Sequence, residues 1–153
     1  MNVVRCVFIG DSNVGKTTIL SKLSHNYGRI SPTIGVDNVL FDYNKVHFQC
    51  WDTSGSAKFG AVTDLFVSKS QNKVFVYDSS KPETFHIDKI DSDTLVVANL
   101  RDRVPALEET HISVNIHDES TLIHLVSVMS RDFAIEEPST SNVYNKTDCC
   151  TCT

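Results

Sequence analysis

No stretch of this sequence approaches the roughly 20 consecutive apolar residues that a membrane-spanning helix needs, and its first residues lack the layout of a signal peptide. Nor is there a run of lysine or arginine. With 14 basic residues against 19 acidic ones the formal net charge is −5, so the clustered basic face that nucleic acid requires is missing. These absences remove nucleic acid from the expected partners and make the cytosol the expected compartment. Cysteine is scarce and unevenly placed: of five, Cys6 and Cys50 lie in apolar strand-like runs, whereas Cys149, Cys150 and Cys152 crowd the last five positions. That asymmetry fits a reducing compartment. No internal repeat is visible.

What is present suffices for one core. The chain has 153 residues, 41% of them hydrophobic, which suits a single domain. Val3 to Ile9, Val36 to Phe41, Val46 to Trp51, Val74 to Tyr77, Leu95 to Ala98 and His111 to Val114 read as strands. Continuous apolar strands of this kind belong in a parallel sheet covered on both faces. Helices are expected over Lys16 to Ser24 and over Asp118 to Phe133, where Leu122, Val126, Met129 and Phe133 recur at helical spacing behind a capping Asp118. Between Val36 and Trp51 the Tyr43-Asn44-Lys45 turn is too short for a crossover helix and implies an antiparallel hairpin. From Glu136 onward the chain is polar and aperiodic and reads as a flexible tail.

Residues 10 to 17, GDSNVGKT, follow the β-branched run VVRCVFI. In the pattern GxxxxGK[ST] the glycines let successive backbone N–H groups wrap a phosphate, and the helix that follows adds its positive end. Gly10, Gly15, Lys16 and Thr17 fill that pattern, with Asp11, Ser12, Asn13, Val14 and Thr18 completing the loop. Lys16 would neutralise the β- and γ-phosphates, and the Thr17 hydroxyl would take one Mg²⁺ position. A Gly-containing turn with an exposed lysine is the bland reading. The four fixed positions arise by chance in about one chain in a hundred of this length, and the strand before and helix after make chance rarer still.

Three further stretches, SPTIGVD at 31 to 37, WDTSGSAKF at 51 to 59 and VVANLRD at 96 to 102, follow the loop in order. Together they resemble the small GTPases of the Ras superfamily, and IGVD, KFGAVT at 58 to 63 and FVYDSS at 75 to 80 resemble its Rab branch most. The resemblance runs from about Val3 to Phe133 and implies a P-loop small-GTPase α/β fold. That fold is a mostly parallel sheet with one antiparallel hairpin strand and helices on both faces. It further implies GTP and GDP as ligands, with Mg²⁺ held by Thr17, Thr33 and Asp52, and a G domain over residues 1–134 followed by a tail over 135–153. Thr33 and the Gly55 backbone N–H would approach the γ-phosphate, so the loop around Thr33 would be ordered only while that phosphate is present. Asp102 would read guanine, accepting from the ring N1–H and the exocyclic amine, and Asn99 would tie the base edge to the P-loop. Leu100 replaces the family's lysine in this element. Its apolar stem would in part do what the lysine stem does over the base, without the charge. Ser113, Val114 and Asn115 stand in the element whose backbone N–H meets the guanine oxygen.

The family orients its attacking water with a glutamine directly after DxxG. Here that position is Ser56, too short to reach, so slow intrinsic hydrolysis is expected, with Gly55 and Thr33 completing the catalytic set and Rab-type activating proteins able to supply groups in trans. Exchange factors and effectors of Rab type are implied partners, the effector surface comprising Ile34, Gly35, Trp51 and Phe66. The terminal DCCTCT resembles a prenylation site, with Cys149 and Cys150 the modified pair and reversible attachment to intracellular membranes the consequence. The second half departs from the family. Only residues 79 to 94 and 99 to 110 are available for two parallel crossovers, enough for helical stubs around Pro82 to Ile90 and Pro105 to Glu109, so one sheet face should be thinly covered. Three rival readings follow: a non-hydrolysing or nucleotide-free protein that imitates a Rab to its partners, a shortened or decayed gene copy, and a P-loop ATPase, which Asp102 disfavours.

Overall fold

A computed structural model describes residues 2–26, 28 and 33–135. Six strands form one sheet: β1 (Asn2–Ile9), β2 (Val36–Tyr43), β3 (Val46–Thr53), β4 (Asn72–Asp78), β5 (Thr94–Asn99) and β6 (Ile112–Val114). Their spatial order is β2-β3-β1-β4-β5-β6. Only the β2–β3 pair is antiparallel, as the short turn between them demands. Asn44 and Lys45 take φ of 48° and 65°, the left-handed pair of a tight hairpin turn, and Phe41 stacks on its cross-strand partner Phe48 at 5.0 Å. The strands extend one or two residues beyond the apolar runs because polar Asn72, Asp78 and Asn99 continue the ladder. β6 starts one residue later than the apolar run, since the His111 side chain turns instead to Tyr77.

Helices α1 (Lys16–Leu23) and α3 (Glu119–Asp132) cover one face. The α3 pattern works as its spacing implies: Leu122, Leu125, Val126 and Met129 are buried, and the Asp118 side chain caps the helix by accepting from Ser120 N at 3.0 Å. Asn72 closes the end of this helix onto the sheet, accepting from Ala134 N at 2.9 Å and donating to Ala134 O at 3.0 Å. The other face carries α2 (Gly60–Lys69) and two three-residue 3₁₀ turns at Pro82–Thr84 and Ile87–Lys89. The first crossover is therefore the stub its length allows. The second is reduced further, with no helical turn at 105–109; loop backbone is held there by Tyr77 Oη, which accepts from Leu107 N, and by Ser79 Oγ, which donates to Val104 O.

This leaves the faces unequal. Among the described residues, twenty-one buried apolar side chains fill the layer under α1 and α3. Five fill the opposite layer, where Trp51, Phe66, Val67, Phe85 and Ile90 add only partly buried surface. No described helix is long and apolar enough to cross a membrane. The expected tail, including Cys149 and Cys150, lies outside the described residues apart from Ile135.

Candidate functional site

The site forms where β1 ends. Its last residue, Ile9, sits between β3 and β4 at the C-terminal edge of the parallel strands, where backbone leaves a sheet toward helix N-termini. Residues Gly10 to Gly15 turn the chain back into α1. Gly15 has φ of 102°, and a side chain there would collide with Asn99 Nδ2, so both conformation and space exclude a Cβ. Asn99, itself buried, donates from that nitrogen to Val14 O at 2.8 Å and so ties the end of β5 to the loop.

Lys16 folds back over the loop. Its Nζ donates to Gly10 O at 2.7 Å and to Asp11 O at 2.6 Å, and only 5% of the residue is exposed. Burial lowers its pKa from 10.5 to about 8, with Asp52 and Asp11 pulling the other way. A buried ammonium that the fold itself does not neutralise suits a site that receives an anion. It faces a cavity of about 530 Å³ lined by loop residues Ser12, Asn13, Gly15, Thr17 and Thr18 on one side. Thr33, Ile34, Thr53, Ser54, Gly55, Ser56 and Phe59 line it as well, and so does Arg101, whose Nη2 reaches Asn13 O.

Thr17, Thr33 and Asp52 converge at one corner. The Thr17 hydroxyl donates to Asp52 Oδ2 at 2.5 Å, the Thr33 hydroxyl to the same oxygen at 3.1 Å, and the two hydroxyls lie 3.0 Å apart. Asp52 is 1% exposed and its Oδ1 has no partner. Burial raises its pKa, opposed by the two threonines and Lys16. An orphaned carboxylate oxygen beside two hydroxyls is a hard oxygen donor set, and it fits Mg²⁺ completed by phosphate and water. Among the described residues no group of three or more His, Cys, Asp or Glu gathers.

Gly55 lies against the P-loop, where a Cβ would strike the Asp11 and Ser12 backbone. Its wall is braced by Ser54 N donating to Gly35 O at 2.8 Å. The Ser56 hydroxyl accepts from Lys58 N at 3.4 Å and caps the 3₁₀ turn Ala57–Phe59. It faces its own turn and presents no carboxamide to the cavity.

Around residues 99 to 102, the Leu100 side chain packs, partly buried, against the thinner apolar layer. Asp102 is exposed with φ of 52° and is outside the cavity lining, as are Ser113 and buried Val114, whose carbonyl accepts from Leu100 N at 2.7 Å. Arg101 enters the cavity in their stead, a residue the sequence reading passed over although a cation beside the missing lysine was a signal. Asp11 turns away from the cavity, and His86 Nε2 contacts both of its carboxylate oxygens at 2.9 Å. Nothing in the motifs pointed to His86. Of the expected effector residues, Ile34 is 80% exposed and Gly35 has φ of 77°, while Trp51 and Phe66 pack together with ring centroids 5.0 Å apart.

A phosphate loop between a buried strand and a helix, with a carboxylate and two hydroxyls gathered beside it, defines a P-loop nucleotide-binding domain. The family described as Ras of Complex, Roc, domain of DAPkinase matches residues 5–94. Ras-related protein Rab-44 of Mus musculus is 38% identical over 85 residues, covering 52% of this chain and 9% of that protein. Ras-related protein Rab-7B of Dictyostelium discoideum is 32% identical over 95 residues, 61% of this chain and 48% of that protein. GTP-binding protein ypt3 of Schizosaccharomyces pombe is 34% identical over 87 residues, 53% and 41% respectively. The chain belongs to the Ras superfamily of small GTPases, nearest to its Rab branch. It spans less than half the length of these relatives.

Proposed function

We propose that this chain is a Rab-like guanine-nucleotide switch that binds GTP or GDP with Mg²⁺ and cleaves GTP slowly. The observation that supports it best is the convergence of Lys16, Thr17, Thr33 and Asp52, drawn from three separate segments, on one cavity. In this reading the loop N–H groups and Lys16 hold the β- and γ-phosphates, while Thr17, Thr33 and Asp52 hold the metal. Bound Mg²⁺ would neutralise phosphate charge. Thr33, which contacts Asp52, would be one of the groups holding the metal, and this would make the segment around it sensitive to the terminal phosphate. The Gly55 N–H approaches the same phosphate.

Hydrolysis is slow in this reading because residue 56 offers a hydroxyl that already caps its own turn. Activating proteins of Rab type would supply the missing groups. The wider role is a switch in membrane trafficking, with exchange factors and effectors meeting Ile34, Gly35, Trp51 and Phe66, and lipid on Cys149 and Cys150 attaching the chain reversibly to the cytosolic face of intracellular membranes. One experiment tests the core of this reading: the protein is purified without added nucleotide, denatured, and its released ligand identified. A guanine nucleotide at about one per chain is expected from a site that buries its ligand. An adenine nucleotide would overturn the choice of base, and an empty protein that also fails to take up labelled GTP would overturn the switch.

A further inference from the structure

We infer that Arg101 is the residue on which the nucleotide's base rests, an inference that itself rests on the guanine-nucleotide reading of the cavity. Leu100 and Arg101 are consecutive and point to opposite sides, so burying Leu100 in the apolar layer delivers Arg101 to the cavity. There its Nη2 donates to Asn13 O at 2.9 Å, its Nη1 lies 3.3 Å from Asp78 Oδ2, and its backbone N donates to Ser79 Oγ at 3.1 Å. Asp78 is 1% exposed, and its other oxygen, Oδ1, is taken by Ser80 N and Oγ at 2.9 and 2.7 Å. The guanidinium is thus hydrogen-bonded to Asn13 and sits at ion-pair distance from Asp78 Oδ2, which has no hydrogen-bond partner of its own, while the side chain remains 40% exposed.

The direction of the ligand follows from the two ends of the cavity. Thr17, Thr33 and Asp52 mark the metal corner, where the terminal phosphates lie, and Lys16 bonds toward Gly10 and Asp11. The rest of the nucleotide must leave by the far end, beside Asn13 and Gly15, where Arg101 reaches Asn13 O. A planar cation at that point offers a stacking surface for an aromatic ring, and one already hydrogen-bonded to Asn13 loses less freedom on contact than a free side chain. Asp102 is outside the cavity and does not compete for this position.

The test compares two probes by calorimetry on the full chain with Mg²⁺: GDP, which carries a base, and inorganic tripolyphosphate, which does not. Arg101→Ala should weaken GDP about tenfold and leave tripolyphosphate within about twofold. Because that variant strands the buried Asp78 carboxylate and risks the fold, Arg101→Lys is measured beside it. It keeps a cation for Asp78 but removes the flat face, and should weaken GDP about threefold with tripolyphosphate unchanged. Equal weakening of both probes would overturn the inference by showing that Arg101 only braces the P-loop or meets phosphate, and unchanged GDP binding in both variants would overturn it as well. A parent that binds tripolyphosphate but gains nothing from the base also overturns it. A parent that binds neither probe defeats the nucleotide reading itself and the inference with it.

Discussion

Replacing Tyr77 with phenylalanine removes one oxygen from the thinly covered face and nothing else. The ring is fully buried, and its edge contact with Phe85 at 5.2 Å survives the change. The lost hydroxyl accepts from Leu107 N at 2.8 Å and hydrogen-bonds His111 Nδ1 at 2.9 Å. His111 Nε2 lies 3.7 Å from Glu108 Oε2. Two hydrogen bonds at a net of about 1 kcal/mol each give about 2 kcal/mol, or about 4–8 °C in Tm for a chain of this size. Calorimetry at pH 7.5 and fixed nucleotide saturation reads it, and a shift under about 1 °C would show that the network contributes nothing. Acid should attack the same point. Burial holds the His111 pKa below 6.5, partly opposed by Glu108, so on acidification the unfolded chain takes the proton first. The stability this group confers is complete above pH 6.5 and is lost as pH falls through the lower folded value. His111→Phe should flatten that loss between pH 7 and 5; an equally steep profile in the variant refutes the assignment.

Lys16→Ala should cut affinity for a labelled GTP analogue by about a hundredfold or more while leaving the empty protein no less stable, because burial already disfavours the charged amine; unchanged binding would remove the P-loop assignment. Gly15→Ala forces a side chain into φ of 102° and onto Asn99, and should lower Tm and nucleotide retention together. A fully folded, fully binding Gly15→Ala protein would mean the loop adopts another path. Ser56→Gln should raise single-turnover hydrolysis of preloaded GTP, by no more than about tenfold because the segment that carries it is weakly held. A parent already as fast as that variant would show that another group positions the water.

The convergence of Lys16, Thr17, Thr33 and Asp52 was legible because the pattern that names them is strict in residue type. The left-handed backbone against Asn99 needs glycine at 15, and the hydroxyls of Thr17 and Thr33 meet Asp52 as their places in the pattern imply. The strands were legible for a similar reason, since burial on both faces writes continuous apolar runs. At 99 to 102 the sequence pattern places residues by position alone, and side-chain direction depends on which residue the apolar layer takes. Leu100 packs against that layer, and Arg101 Nη2 reaches Asn13 O. His86 was invisible because its partner Asp11 is 75 residues away and no local spacing records the contact.

The unequal faces and the altered residue 56 bear on one step. None of the α2 residues is fully buried, whereas α1 buries Ile19 and Leu20 and α3 buries five apolar residues. α2 is held mainly through Phe66 against Trp51 and through Val67, while Val62 and Leu65 stay 41% and 49% exposed. Two partly buried side chains contribute about 2–4 kcal/mol, little enough that the segment from Gly55 to Lys69 can shift without unfolding the sheet. In the proposed switch this segment must hold the attacking water, and a thinly packed wall with only a serine at its head holds it poorly. Restoring a glutamine corrects the chemistry and leaves the thin packing, so its gain should stay small until a partner packs on Val62 and Leu65. Mutating those two exposed residues to polar ones in the Ser56→Gln protein should therefore leave the intrinsic rate unchanged and reduce only the rate stimulated by an activating protein; a fall in the intrinsic rate would mean that α2 is already held where catalysis needs it.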